Sequence, residues 1–157
     1  MFHLEDKIFV PVKAEEVFSF VDYHMNFSSH MTKPSLMMGG GKMEIITDDK
    51  HGQAVGSHIK LNGKIFGIEL YLDEVITERN PPLLKVWKTV GTPKLLIIGD
   101  YQMKVQIELQ EKGSLLQVSI DYELPKKNVL LGKLFGEFYA KWCVNQMITD
   151  TKNNFRT

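Results

Sequence analysis

Five histidines, His3, His24, His30, His51 and His58, are the residues of this chain that first invite a metal. Their spacing argues against one. A zinc site needs three or four convergent ligands, and no two of these imidazoles stand four apart on a helical pattern with a carboxylate on the same face. They read as surface or capping residues, so neither a metal nor a cofactor is expected.

Proton transfer has better candidates in Glu69 or Tyr71, in Lys88 or Trp87, and in His58, all of which strand alternation can turn inward. A buried Glu or Tyr in a water-poor space serves as a general acid or base. The competing reading leaves Glu69 and Lys88 in water, because unpaired charges are rarely buried. Phe66, Ile68, Leu70 and Leu72 compete with Ile65 and Tyr71 for the inside, so the inward face of this region stays open. No nucleophile elbow, phosphate loop, dinucleotide fingerprint or paired metal-binding cysteines occurs, which leaves covalent catalysis and nucleotide chemistry unsupported. No catalytic residue is assigned.

Such groups act only where a fold positions them, and the order of elements is legible. Residues Phe2 to Val10 alternate apolar and charged types and stop at Pro11, as an opening strand does. Ala14 to Asp22 places Val17, Phe18 and Val21 at helical spacing, with Glu15 and Glu16 where they complement the helix dipole. A second short helix or turn is expected over Tyr23 to Met31. Six further strands follow, at Met43–Thr47, Val55–Leu61, Lys64–Thr77, Leu83–Val90, Ile97–Gln110 and Leu115–Leu124. They are joined by the turn signals Asn62-Gly63, Asn80-Pro81-Pro82 and Glu111-Lys112-Gly113. In the last two strands the alternation is clean: Tyr101, Met103, Val105, Ile107 and Leu109 share one face, and Leu116, Val118, Ile120 and Tyr122 repeat it.

After Pro125 and Asn128 a helical pattern runs from Val129 to about Asn153, some ~37 Å. Leu131, Leu134, Phe135, Phe138 and Trp142 fall on one stripe of it, which is expected to face the sheet. Strands and helices do not alternate, so the class is α+β rather than doubly wound. No repeat or linker divides the chain, and residues 1–157 are expected to form one domain.

Nineteen basic residues balance nineteen acidic ones, so no long-range field favours nucleic acid. A lone cysteine, Cys143, forms no internal disulfide. The first residues lack the basic and apolar pattern of a secretory signal, and no apolar run approaches the ~20 residues of a membrane span. The cytoplasm is the default expectation, and the sequence does not speak to the oligomeric state.

Phe9-Val10-Pro11-Val12 closing the first strand, Ala14 to Asp22 after it, Glu78-Arg79-Asn80-Pro81-Pro82 before Trp87, Gly113-Ser114 before the final strand, and Tyr122-Glu123-Leu124-Pro125 leading into the long helix are shared features. Through them essentially the whole chain resembles the START-like, or helix-grip, superfamily (SRPBCC), which includes polyketide cyclases, lipid-transfer domains and plant pathogenesis-related allergens. The resemblance implies a curved antiparallel seven-stranded sheet, two short helices after strand one, and a long C-terminal helix packed in the concave face. It also implies a cavity between sheet and helix that takes an apolar small molecule.

The expected cavity residues are Phe66, Ile68, Leu70, Trp87, Tyr101, Met103, Val105, Val118, Ile120 and Tyr122 on the sheet, with Leu131, Leu134, Phe135, Phe138 and Trp142 on the helix. An ordinary dry core is the alternative. Gly132 and Gly136, each costing roughly 1 kcal/mol in a helix interior, need a reason: softening beside a cavity mouth, close approach of a loop, or tight contact with the short helices. Thr32 to Lys42, with Pro34, Met37, Met38 and three glycines, is either a lid or a plain surface loop.

Three functions remain open. The first is binding or transport of a lipid, polyketide or similar small hydrophobic ligand. The second is a cyclase or dehydratase that uses an inward Glu, Tyr or His. The third is a protein-interaction module with a collapsed cavity.

Overall fold

The computed structural model describes residues 1–27, 43–65 and 67–155. The elements follow in the order β1 (Phe2–Val10), α1 (Ala14–Asp22), α2 (His24–Phe27), β2 (Met43–Thr47), β3 (His58–Ile65), β4 (Ile68–Asn80), β5 (Leu84–Lys94), β6 (Tyr101–Gln110), β7 (Gly113–Tyr122) and α3 (Val129–Asn154). The lid-or-loop segment and Phe66 lie outside the described residues.

All seven strands belong to one antiparallel sheet in the order β1-β7-β6-β5-β4-β3-β2. The expected alternation of β6 and β7 holds: Met103, Val105 and Ile107 are buried opposite Ile120, Val118 and Leu116. Leu109, on the same face, runs out beyond the core and is 66 % exposed. Two register shifts between β4 and β5, at Tyr71/Asp73 and Ile76/Glu78, bend and twist these long strands and contribute to the curvature of the sheet.

The β3–β4 reversal differs from expectation. Asn62-Gly63 is not the turn; both residues lie inside β3, where Asn62 pairs with Tyr71 and Gly63 with Leu70. Ile65 pairs with Ile68 instead, so the chain reverses between them, with Gly67 at φ 77°. This register sets Leu61 opposite Leu72 and buries both, which a turn four residues earlier would forfeit.

Helix α1 buries Ala14, Val17, Phe18 and Val21, and its entry is fastened by the Lys13 N–H donating to the Glu16 carboxylate at 3.3 Å. At its far end Asp22 accepts from Arg79 Nε and Nη2, at 3.1 and 2.8 Å. Lys85, wholly buried, donates from Nζ to the Asp22 carbonyl at 3.0 Å and stands 3.0 Å from Oδ1. This three-residue cluster ties the end of α1 to the β4–β5 hairpin and thereby fixes where the next residues, Tyr23 and His24, begin.

Helix α3 requires the largest correction. The stripe expected to face the sheet points outward: Leu131 is 39 %, Leu134 63 %, Phe135 48 % and Phe138 63 % exposed, and only Trp142 is partly buried. The buried face is Gly132, Gly136, Tyr139, Ala140, Cys143, Val144, Met147, Ile148 and Thr151. Small residues win because the helix lies against backbone. A Cβ on Gly132 would sit 2.5 Å from Pro125 Cδ and 3.1 Å from the Ile97 carbonyl oxygen, so the leading half of α3 approaches closer than a larger side chain permits. No described helix is long and apolar enough to cross a membrane.

Candidate functional site: a buried polar cluster behind an apolar cleft

Strand β4 turns Leu70, Leu72, Glu74 and Ile76 inward by simple alternation, which puts one carboxylate among aliphatic side chains. Glu74 is 3 % exposed and has two partners in the interior. Tyr101, at the start of β6, donates its hydroxyl to Oε2, and His24, at the start of α2, places Nε2 3.2 Å from Oε1. The His24 ring meets the indole of Trp87 edge-on, with ring centroids 5.4 Å apart. Three elements distant in sequence thus converge on one carboxylate.

Around this cluster is a small space of about 30 Å³, lined by Leu95, Ile98, Met103, Ile120, Tyr139, Cys143 and Met147 as well as Trp87. That is room for one or two waters, not for a substrate. Among the described residues, Val105, Val118, Leu116 and Val144 belong to the apolar core between sheet and long helix. Burial, and then the Glu74 charge, raise the Tyr101 hydroxyl well above its ordinary value, so it stays protonated and donates. Burial likewise raises Tyr139, and pushes the Cys143 thiol up to about 12 although its Tyr139 contact acts the other way.

A second space lies immediately outside. A cleft of about 440 Å³ opens between the start of β4, the β5–β6 connection and the segment joining β7 to α3. Its apolar walls are Ile68, Leu70, Pro93, Leu95, Leu96, Ile98, Leu124 and Pro125, and Glu69, Lys94, Asp100, Glu123, Lys126 and Lys127 supply charge. Leu95 and Ile98 line both spaces and so stand between the cleft and the Glu74 chamber. The connection that carries them is held at its end by paired backbone bonds, Gly99 N–H to the Glu123 carbonyl at 2.8 Å and Glu123 N–H to the Asp100 carbonyl at 2.9 Å. Gly99 allows this approach, since a Cβ there would lie 2.6 Å from the Leu124 carbonyl oxygen.

No protein-family model and no curated protein sequence matches the chain. Solved structures do. A protein from Thermus thermophilus superposes with a TM-score of 0.68 at 12% identity, over 98% of this chain and 97% of that one. Major latex-like protein 151 from Panax ginseng gives 0.66 at 14% identity, over 99% and 98%. Truncated norcoclaurine synthase from Thalictrum flavum gives 0.64 at 16% identity, over 99% and 94%. The chain has the helix-grip fold. The architecture that the resemblance implied is therefore present from β1 to α3, and at these identities the likeness speaks to fold alone.

Within this helix-grip protein the sequence-derived cavity residues divide into four groups. Trp87, Tyr101, Met103 and Ile120 wall the inner chamber; Ile68 and Leu70 wall the outer cleft. Val105, Val118 and Tyr122 are core, and Leu131, Leu134, Phe135 and Phe138 are on the outside of the helix, with Trp142 at its margin beside Tyr139. None of the proposed proton-transfer residues other than Trp87 is inward: Glu69, Tyr71 and Lys88 are exposed, and His58 pairs with Asp73 at 2.9 Å on the surface. The inward ionisable groups among the described residues include Glu74, His24, Tyr101 and Lys85, with Asp22, Tyr139 and Cys143 also buried. Among the described residues no group of three His, Cys, Asp or Glu side chains is arranged to hold a metal ion.

Proposed function

We propose that this protein binds an apolar small molecule, a lipid, polyketide or compound of similar character, as one helix-grip domain spanning residues 1–157. The observation that supports this reading is the cleft of about 440 Å³ with its aliphatic walls, within the size range of small-molecule sites and more apolar than an ordinary surface groove. Affinity would come from buried apolar area at ~25 cal/mol per Å², less the costs of association. The reading moves the ligand from the sheet–helix interior, where the sequence placed it, to the end of that interior.

Native mass spectrometry of the purified protein, followed by titration with fatty acids, sterols and aromatic polyketides, tests the proposal. A one-to-one adduct is expected, weakened at least about tenfold by Ile68→Glu, which sets a charge on the apolar wall. Failure of every class to bind saturably would remove the carrier reading.

An enzyme of the cyclase or dehydratase type is the second reading, and the Glu74 cluster is the specific observation in its favour. A buried carboxylate held between Tyr101 and His24 has the form of a general acid–base site. Such a reaction needs Leu95 and Ile98 to part so that a substrate in the cleft reaches Glu74. Product formation abolished by Glu74→Gln with ligand affinity retained would select this reading over simple binding.

A further inference from the structure

Helix α3 carries an apolar stripe that is exposed among the described residues. Leu130, Leu131, Leu134, Phe135 and Phe138 recur at i, i+1, i+4, i+5 and i+8, and are 69, 39, 63, 48 and 63 % exposed. Scattered apolar residues on a surface are ordinary, but five large ones in a continuous row mark a contact surface. The stripe is ~12 Å long and one to two side chains wide, and it is convex. That falls short of the ~800 Å² per partner that a stable protein interface requires.

Charge indicates the partner. Between residues 126 and 141 the chain has four lysines, Lys126, Lys127, Lys133 and Lys141, against one acid, Glu137, although the whole chain is neutral. All four lysines are exposed. A helix with bulky apolar side chains on one face and lysines beside them suits the boundary of an anionic bilayer, where the apolar row enters the acyl region and the ammonium groups meet the headgroups.

We propose that α3 docks this protein, by the row Leu130 to Phe138, on an anionic lipid surface. Lys126 and Lys127 also border the cleft, so docking turns the cleft mouth toward the membrane. The proposal does not depend on any ligand in the cleft.

Co-sedimentation of the full chain with vesicles tests it, using phosphatidylcholine alone and phosphatidylcholine mixed with phosphatidylserine in roughly equal amounts. Binding is expected only to the mixed vesicles and should fall at least about tenfold in Leu134→Ser/Phe138→Ser, and again in Lys133→Glu/Lys141→Glu. Circular dichroism confirms that each variant keeps its fold, which these exposed positions favour. Equal binding to both vesicle types, or unchanged binding of the apolar double variant, would overturn the proposal. So would sedimentation equilibrium showing a dimer that the same apolar substitutions dissociate, since the face would then be covered by a second copy.

Discussion

Oε1 of Glu74 and Nε2 of His24 stand 3.2 Å apart with both side chains 4 % exposed, joining β4 to α2 across fifty residues of chain. With Tyr101 on the other carboxylate oxygen, three polar groups satisfy one another in the interior. Glu74→Leu removes the acceptor and strands both partners, and is expected to lower the unfolding free energy by ~2–4 kcal/mol. Tyr101→Phe should cost ~1–2 kcal/mol. In a double-mutant cycle read by urea denaturation the two losses should be non-additive by more than ~0.5 kcal/mol; strict additivity would mean the groups are not coupled.

Asp22 governs the acid limb. Burial pushes its carboxyl up, yet the Arg79 guanidinium and Lys85 ammonium outweigh that and hold it below its ordinary value of 3.8. A carboxyl depressed in the folded state stabilises fully above its unfolded pKa of ~3.9, and the contribution is lost as pH falls through the folded value. Asp22→Asn takes from the buried Lys85 its nearest carboxylate, with an expected loss of ~3–5 kcal/mol at neutral pH. The variant's stability should also decline less steeply below about pH 4, as measured by denaturant titration across pH. An unaltered acid limb would show that other carboxylates control it.

The thiol of Cys143 should be silent in the native protein. At a pKa of about 12, and buried beneath Tyr139, it presents almost no thiolate near neutrality. Iodoacetamide should modify it at a rate set by opening of the fold and complete the reaction quickly in denaturant. Prompt modification of the folded chain in plain buffer would contradict the burial of this face of α3.

Two glycines on one helix should respond in opposite directions to the same change. An alanine Cβ at Gly136 would lie 3.5 Å from the Tyr122 ring, an ordinary contact, so Gly136→Ala should stabilise by ~0.5–1 kcal/mol through helix propensity. At Gly132 the added carbon meets Pro125 Cδ at 2.5 Å, and Gly132→Ala should destabilise despite the same propensity gain. Thermal melts of the two variants decide the matter; equal shifts of the same sign would refute the close approach at Gly132.

The sequence was most legible where one period had no rival. In β6 and β7 apolar and polar residues alternate without interruption, and Met103, Val105, Val118 and Ile120 are buried accordingly. In α3 the helix was legible but its face was not, because apolar residues surround it: Leu134 and Phe138 outside, Val144 and Ile148 inside. The sign to read was the row of small residues, Gly132, Gly136, Ala140 and Cys143, which marks the side lying against backbone. Glu74 was within reach too, since it keeps step with Leu70, Leu72 and Ile76. His24 was not, because its place follows from Asp22 being anchored by Arg79 and Lys85, a tertiary arrangement that leaves no local pattern.

The strand order holds a consequence for how the chain is made. β1 hydrogen-bonds only to β7, with Phe2 opposite Tyr122 and Val10 opposite Ser114, so among the described strands the first to leave the ribosome is the last to find its neighbour. More than a hundred residues separate the two partners, so the edge of the sheet waits on a contact of high sequence separation, the kind that forms slowly. Meanwhile His3, Glu5, Asp6 and Lys7 stud the waiting strand with charge, a guard against premature pairing with other nascent chains.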